Sequence, residues 1–262
     1  MSLKYYLGCI ISFPLLPIMY FQGKKIRQNV PKLPEAREPT GYLKTTSEKT
    51  LKILAIGEST IAGVGVDFHE NGFIGSLAKE ISVEKNISIL WRVYAKSGYT
   101  AKLVRKKIIP EIEDSNADII VIGLGGNDAF KLNSPDLWML QINQLIKSLK
   151  RKFPKTPIYF TNMPPIKEFP AFTKTIKFVI GNLVEILGER LKRKTENKEN
   201  VYFNDETITL ENWQERYNLG DDISIFFSDG VHPSKLTYQI WGKDMAKFII
   251  NSNSFKQWMQ KK

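Results

Sequence analysis

The sequence predicts a three-layer α/β/α domain built on a mostly parallel, five-stranded sheet. From Leu51 onward, short apolar runs alternate with amphipathic helical stretches, the pattern of consecutive βαβ units. The run at residues 119–124 is apolar almost throughout, as a strand buried on both faces must be. The glycine-rich polar clusters fall directly after apolar runs, at the strand ends where open α/β sheets bind ligands.

Taken in order, the chain opens with residues 5–21, a stretch of 17 residues without a charged side chain. A bilayer span takes about 20 residues, and Pro14 and Pro17 would kink the segment. It therefore reads as a short span, an interfacial anchor or an arm packed on the protein itself, and we assign residues 1–23 to it. The Phe21-Gln22-Gly23-Lys24 junction lacks the small residues of a signal-peptide cleavage site. Lys24, Lys25, Arg27 and Lys32 follow the segment and only Lys4 precedes it, which puts the bulk of the chain on the cytoplasmic side of a membrane. Residues 24–50, with prolines at 31, 34 and 39 and no periodicity, read as a linker.

The main domain is expected over residues 51–252. Strands are predicted at 51–56, 87–94, 119–124, 158–161 and 201–203, and helices near 73–83, 100–108, 134–152, 174–194 and 234–250. Ser134-Pro135 supplies an N-cap and an N1 proline for one of them. Residues 253–262 read as a basic tail.

Composition narrows the chemistry. The chain has 262 residues, 42% of them hydrophobic and 25% charged, the size and balance of one globular domain with an appendage. Cys9 stands alone and His69 and His232 are the only histidines, so neither a disulfide nor an ordinary zinc site is expected, and we expect no metal and no cofactor. The net charge of +11 raises the question of a polyanionic partner. Its basic residues sit in scattered helical runs, such as 102–107, 147–152 and 190–194, without interleaved aromatics. That pattern reads as solvated helix faces, with an anionic membrane surface as second choice and no nucleic acid expected.

Three polar turns should meet on one rim of the sheet. Ser59 sits in the turn after the first strand, where the opening amides of a following helix are free to stabilise negative charge. Gly98 follows the second strand, and its amide is unobstructed by a side chain. Asn127 follows the third and offers a side-chain amide. A hydrolytic serine also needs a base and an acid that orients it. Asp229-Gly230-Val231-His232-Pro233 places both in one loop, with Gly230 permitting the fold-back and Pro233 biasing His232 to extended backbone.

Together these blocks resemble the SGNH/GDSL hydrolase family, in the order Gly57-Glu58-Ser59-Thr60-Ile61-Ala62-Gly63, Ser97-Gly98, Gly125-Gly126-Asn127-Asp128 and Asp229-Gly230-Val231-His232. The resemblance implies a flavodoxin-like SGNH hydrolase fold over residues 51 to about 250. It also implies a nucleophile at Ser59, a base at His232 and an orienter at Asp229, with an oxyanion hole from Ser59, Gly98 and Asn127. Glu58 and Thr60 depart from the usual aspartate and leucine; neither is the nucleophile, so altered local hydrogen bonding is expected and no change of reaction type. Bacterial lipase/esterase-like members share an apolar N-terminus and an apolar loop such as residues 163–172, which implies a small or lipid-like acyl ester as substrate. The alternatives are an acyltransferase or thioesterase using the same triad, and a non-catalytic binder of anionic membranes or nucleic acid. His69, without an acid partner at short spacing, is expected to be a surface or lid residue.

Overall fold

The computed structural model describes residues 3–261, so Met1, Ser2 and Lys262, the ends of the expected N-terminal segment and tail, lie outside the described residues. The sheet has six strands: β1 (Thr40–Leu43), β2 (Thr50–Gly57), β3 (Ser88–Ala95), β4 (Ile119–Gly123), β5 (Ile158–Phe160) and β6 (Val201–Phe203). Their order is β1-β3-β2-β4-β5-β6, with β1 antiparallel to β3 and every other pairing parallel. The extra strand, β1, lies within the stretch expected to be a linker. Its sequence Thr-Gly-Tyr-Leu is too short for periodicity to register, and it forms because the edge of β3 offers unpaired backbone groups. Gly41 lies over the Trp91 ring of β3, where a Cβ would overlap the indole.

Alternation along the central strands divides the core in two. Leu54 and Ile56 of β2 and Ile120 and Ile122 of β4 face one side; Ile53, Ala55, Ile119 and Val121 face the other. On the first side lie α4 (Ala101–Leu103), which continues as a π-helical turn over Val104–Ile108, then α5 (Gly126–Phe130), α6 (Pro135–Lys152) and α7 (Lys174–Thr195). The second side carries α3 (Phe73–Lys85), α8 (Leu210–Tyr217), α9 (Lys235–Asn251) and α10 (Asn253–Lys261). The expected basic tail is this last helix: Phe255 is 1% exposed with its ring 5.9 Å from that of Trp258, so the amphipathic face of a charged segment docks on the core.

The apolar N-terminal segment is nearly one helix from Leu3 to Asn29, with a mean hydropathy of 1.3 over its most apolar 18-residue window. Pro14 marks a 3₁₀ turn at Phe13–Leu15 that divides it into α1 (Leu3–Ser12) and α2 (Leu16–Asn29). Tyr5, Leu15, Met19 and Ile26 rest against the α7 side of the core. Lys4 pairs with Glu189 at 2.6 Å, and Thr173 donates to Gln22 at 2.6 Å. Leu3, Leu7, Ile10, Phe13 and Phe21 remain exposed.

Candidate active site

Strand register sets the site. Gly57 pairs with Ala95 on one side and Gly123 on the other, so β2, β3 and β4 end level with one another. The chain leaves β2 towards α3 on one face and β4 towards α5 on the opposite face, the arrangement that opens a crevice at strand ends. Ser59, Gly98 and Asn127 occupy the first turns beyond those three ends.

The first amides after Ser59 belong to turns and not to the opening of a helix, while the helix expected near residues 73–83 forms as α3. Residues 59–65 form successive turns, with the Val64 amide reaching back to the Ser59 carbonyl at 3.1 Å, and α3 starts only at Phe73. Gly63, at φ 69°, leaves helical space and ends any regular ladder there. The Ser59 amide nevertheless has no intramolecular acceptor among the described residues, and the same holds for the amide of Gly98. Gly98 adopts φ 80° on an exposed turn, with nothing within 4 Å of where a Cβ would stand. Its loop is held by Glu35, whose carboxylate accepts from the Ser97 amide at 2.7 Å and from Lys96 Nζ at 2.9 Å.

Glu58, the residue that departs from the usual aspartate, lies beneath the site at 5% exposure. Its carboxylate accepts from the Gly126 amide at 2.9 Å, the Asn127 amide at 3.0 Å and Asn127 Nδ2 at 2.8 Å. Burial pushes this carboxyl up; the amides of Asn127 and Gly126 pull it back, the neighbouring Asp128 raises it again, and it settles at about 7. The second Asn127 Nδ2 proton goes to the Tyr99 carbonyl at 3.2 Å. Donation to a substrate oxygen would take that proton from a long, weak bond. Asp128 is fully buried and ties the same two loops together, accepting from the Ala101 amide and from Asn133 Nδ2, each at 2.8 Å.

Asp229 and His232 stand in the loop before α9. His232 Nδ1 lies 2.7 Å from Asp229 Oδ2, while Asp229 Oδ1 accepts from the amides of Val231 at 2.9 Å and His232 at 2.7 Å. The Asp229 side chain is wholly buried and the imidazole is 22% exposed. Burial alone would raise the Asp229 carboxyl, but the bonds from the His232 ring and the two amides outweigh it and hold it below the usual carboxylate range. An acceptor on Nδ1 places the proton there and leaves Nε2 with its lone pair. This loop and α9 pack against the Ser59 turn: Ser228 Oγ of the loop donates to the Gly65 carbonyl at 3.0 Å and Tyr238 Oη of α9 to that of Val64 at 2.7 Å. Among the described residues no hydrogen bond joins Ser59 Oγ to the His232 ring.

His69 departs from expectation. It is 4% exposed and not at the surface, with its ring beside Gly63 in the turn that follows Ser59. Burial lowers its pKa to about 4, so the ring stays neutral near pH 7. Among the described residues no three His, Cys, Asp or Glu side chains converge as a metal ion would require. Glu35 carries no sequence signal at all, since it lies in a stretch without periodicity; Glu58 was visible beside Ser59, but the three donors it collects were not.

Comparison with known proteins agrees with this architecture. The structure is similar to a Clostridium thermocellum family 3 carbohydrate esterase, with a TM-score of 0.57 and 17% identity over 78% of this chain and 96% of that one. It is also similar to a lipase/acylhydrolase from Enterococcus faecalis, with a TM-score of 0.55 and 18% identity over 76% and 95%. The lipase Lip_vut3 from a goat rumen metagenome gives a TM-score of 0.54 and 18% identity over 75% and 96%. No curated protein matches the sequence significantly. A family model for the GDSL-like Lipase/Acylhydrolase family matches residues 55–240, from within β2 into α9 and across every block of the site. The fold is that of the GDSL/SGNH hydrolases, and the chain belongs to the GDSL-like lipase/acylhydrolase family, hydrolases of ester bonds.

Proposed function

We propose that the chain cleaves carboxylic esters through an acyl-enzyme on Ser59, with His232 as general base and Asp229 as its orienter. The observation that carries this reading is the Asp229–His232 pair: a buried carboxylate, held by two amides, accepts from Nδ1 at 2.7 Å and so presents Nε2 as a base beside the Ser59 turn. In the acylation step Ser59 Oγ forms a bond to the ester carbonyl carbon and its proton passes to His232 Nε2. The carbonyl electron pair moves onto oxygen, where the amides of Ser59 and Gly98 and Asn127 Nδ2 receive it. Collapse expels the alcohol, which takes the proton from His232, and water repeats the sequence to release the acid. The Ser59–His232 hydrogen bond is assigned to the substrate complex, since such bonds commonly tighten only there.

The substrate class, small-molecule or lipid-like acyl esters, follows from the family and from the apolar loop at residues 163–172. We also assign the exposed side of the N-terminal helix to a membrane surface and the catalytic domain to its cytoplasmic side, a reading supported by Lys24, Lys25, Arg27 and Lys32 after the apolar stretch against Lys4 before it. The test is labelling with an active-serine phosphonate followed by peptide mapping. The adduct is expected on Ser59 and absent from Ser59→Ala; folded wild-type protein that takes no label would overturn the mechanism.

A further inference from the structure

Away from the catalytic loops, an apolar cleft of about 280 Å³ separates α1 from α7. Val179, Leu183 and Ile186 form its α7 side, Gly8 and Phe13 belong to the N-terminal segment, and Leu132 also lines it; no charged residue does. A cavity of this size and character suits one flexible hydrocarbon chain better than a polar ligand.

Through Leu132 the cleft reaches the segment that follows Asn127. Leu132 stands two residues beyond Phe130 and five beyond Asn127. From Phe130 a ladder of rings leads back to the histidine loop: Phe130 to Phe172 at 5.2 Å, Phe172 to Phe169 at 5.4 Å and Phe169 to Phe227, the neighbour of Ser228, at 5.3 Å. Phe169 is buried at 9% exposure, whereas Phe130 and the cleft-lining Leu132 and Phe178 are 42%, 44% and 46% exposed, so the accessible apolar surface on the segment that follows Asn127 is that of Phe130 and Leu132. The Lys4–Glu189 pair and the Thr173–Gln22 bond hold the N-terminal helices against α7.

We propose that the N-terminal helix completes an acyl-chain site: an ester with its carbonyl at Ser59 runs its acyl chain past Phe130 and Leu132 and buries the distal methylenes between α1 and α7. This rests on the reading of Ser59 as the ester-cleaving nucleophile. The N-terminal segment is then a specificity element that selects long acyl chains, in addition to any part it plays at a membrane.

Gly8 provides the test, because it lines the cleft and a Cβ there meets nothing within 4 Å, so a larger side chain starts from open space. Each buried methylene is worth about fourfold in binding. In the full chain, Gly8→Trp is expected to lower kcat/KM for nitrophenyl laurate by about tenfold or more and to leave nitrophenyl acetate unchanged. A second arm is independent of turnover. Cys9 is exposed and lines the cleft, so in Ser59→Ala dodecanoate below its micellar concentration should slow alkylation of Cys9 by N-ethylmaleimide, whereas acetate should not. A laurate-to-acetate ratio unmoved by Gly8→Trp, or Cys9 reactivity indifferent to dodecanoate, overturns the acyl-chain site while leaving ester hydrolysis standing. Absence of hydrolysis of every ester would instead indict the reading of Ser59, and the Cys9 arm would still decide whether the cleft takes a chain.

Discussion

Glu58→Gln exposes the tension built beneath the site. In the native chain one carboxylate collects three N–H donors while lying at 5% exposure, and its pKa rises from the usual 4.5 to about 7. Because the folded value is the higher one, the neutral form is favoured by folding: the associated stability is fully present below about pH 4.5 and is lost as pH rises through about 7. At about 1.4 kcal/mol per pH unit, that loss amounts to about 3 kcal/mol. Glutamine cannot titrate, so its own contribution is flat. It also has one acceptor oxygen in place of two; if that oxygen takes the Asn127 pair, the Gly126 amide faces an NH₂ group and is orphaned, a fixed cost of about 1–3 kcal/mol. Urea unfolding of both proteins at intervals from about pH 4 to 8 measures the difference, in which every other titration cancels. The expected result is a wild-type advantage largest at the acid end that shrinks by about 3 kcal/mol towards pH 8. Parallel profiles with a constant offset would refute the reasoning, because they would mean that Glu58 has the same proton affinity folded and unfolded.

Asn127→Ala removes one of the proposed oxyanion donors and should lower kcat by about two to three orders of magnitude, read from steady-state kinetics on a nitrophenyl ester. Ser59→Ala and His232→Ala should each cost about four orders or more in the same assay, with the circular dichroism spectrum unchanged. Asp229→Asn should flatten the acid arm of the stability curve: the native carboxyl is held low, so its contribution is present above the usual carboxylate range and lost as pH falls through the folded value, which thermal melts between about pH 3 and 6 would detect. Phe255→Ala empties the pocket that seats α10 and should destabilise the fold by about 3–5 kcal/mol by urea unfolding, whereas a dispensable tail would show no change.

Much of the fold was legible because burial writes itself into periodicity. The run at 119–124 reads as a central strand, and β4 occupies residues 119–123 with every residue buried. Ser134-Pro135 marks a helix start that the structure reproduces, with Ser134 accepting from the Leu137 amide. Short or irregular pieces escaped: β1 has four residues, and the π-helical turn at Val104–Ile108 interrupts what reads as one basic helix. Pairing of β1 with β3 depends on a vacant sheet edge, which no local pattern records.

The chemical blocks could be picked out in advance because serine, histidine, aspartate and glycine at strand ends carry their own chemistry. Local sequence sufficed for the Asp229–His232 pair, since three residues and a glycine bring an acid back to a ring within one loop. Assembly across the sheet was another matter. That Glu58 collects Gly126 and Asn127 from a turn 68 residues away, that Glu35 braces the Gly98 loop, that His69 is buried, and that α1 forms one wall of a cleft on α7 all follow from the register of β2 with β3 and β4 and from helix packing. Such contacts are governed by loop closure and the packing of many distant side chains at once, and a linear pattern with a period of two or 3.6 residues contains no term for them.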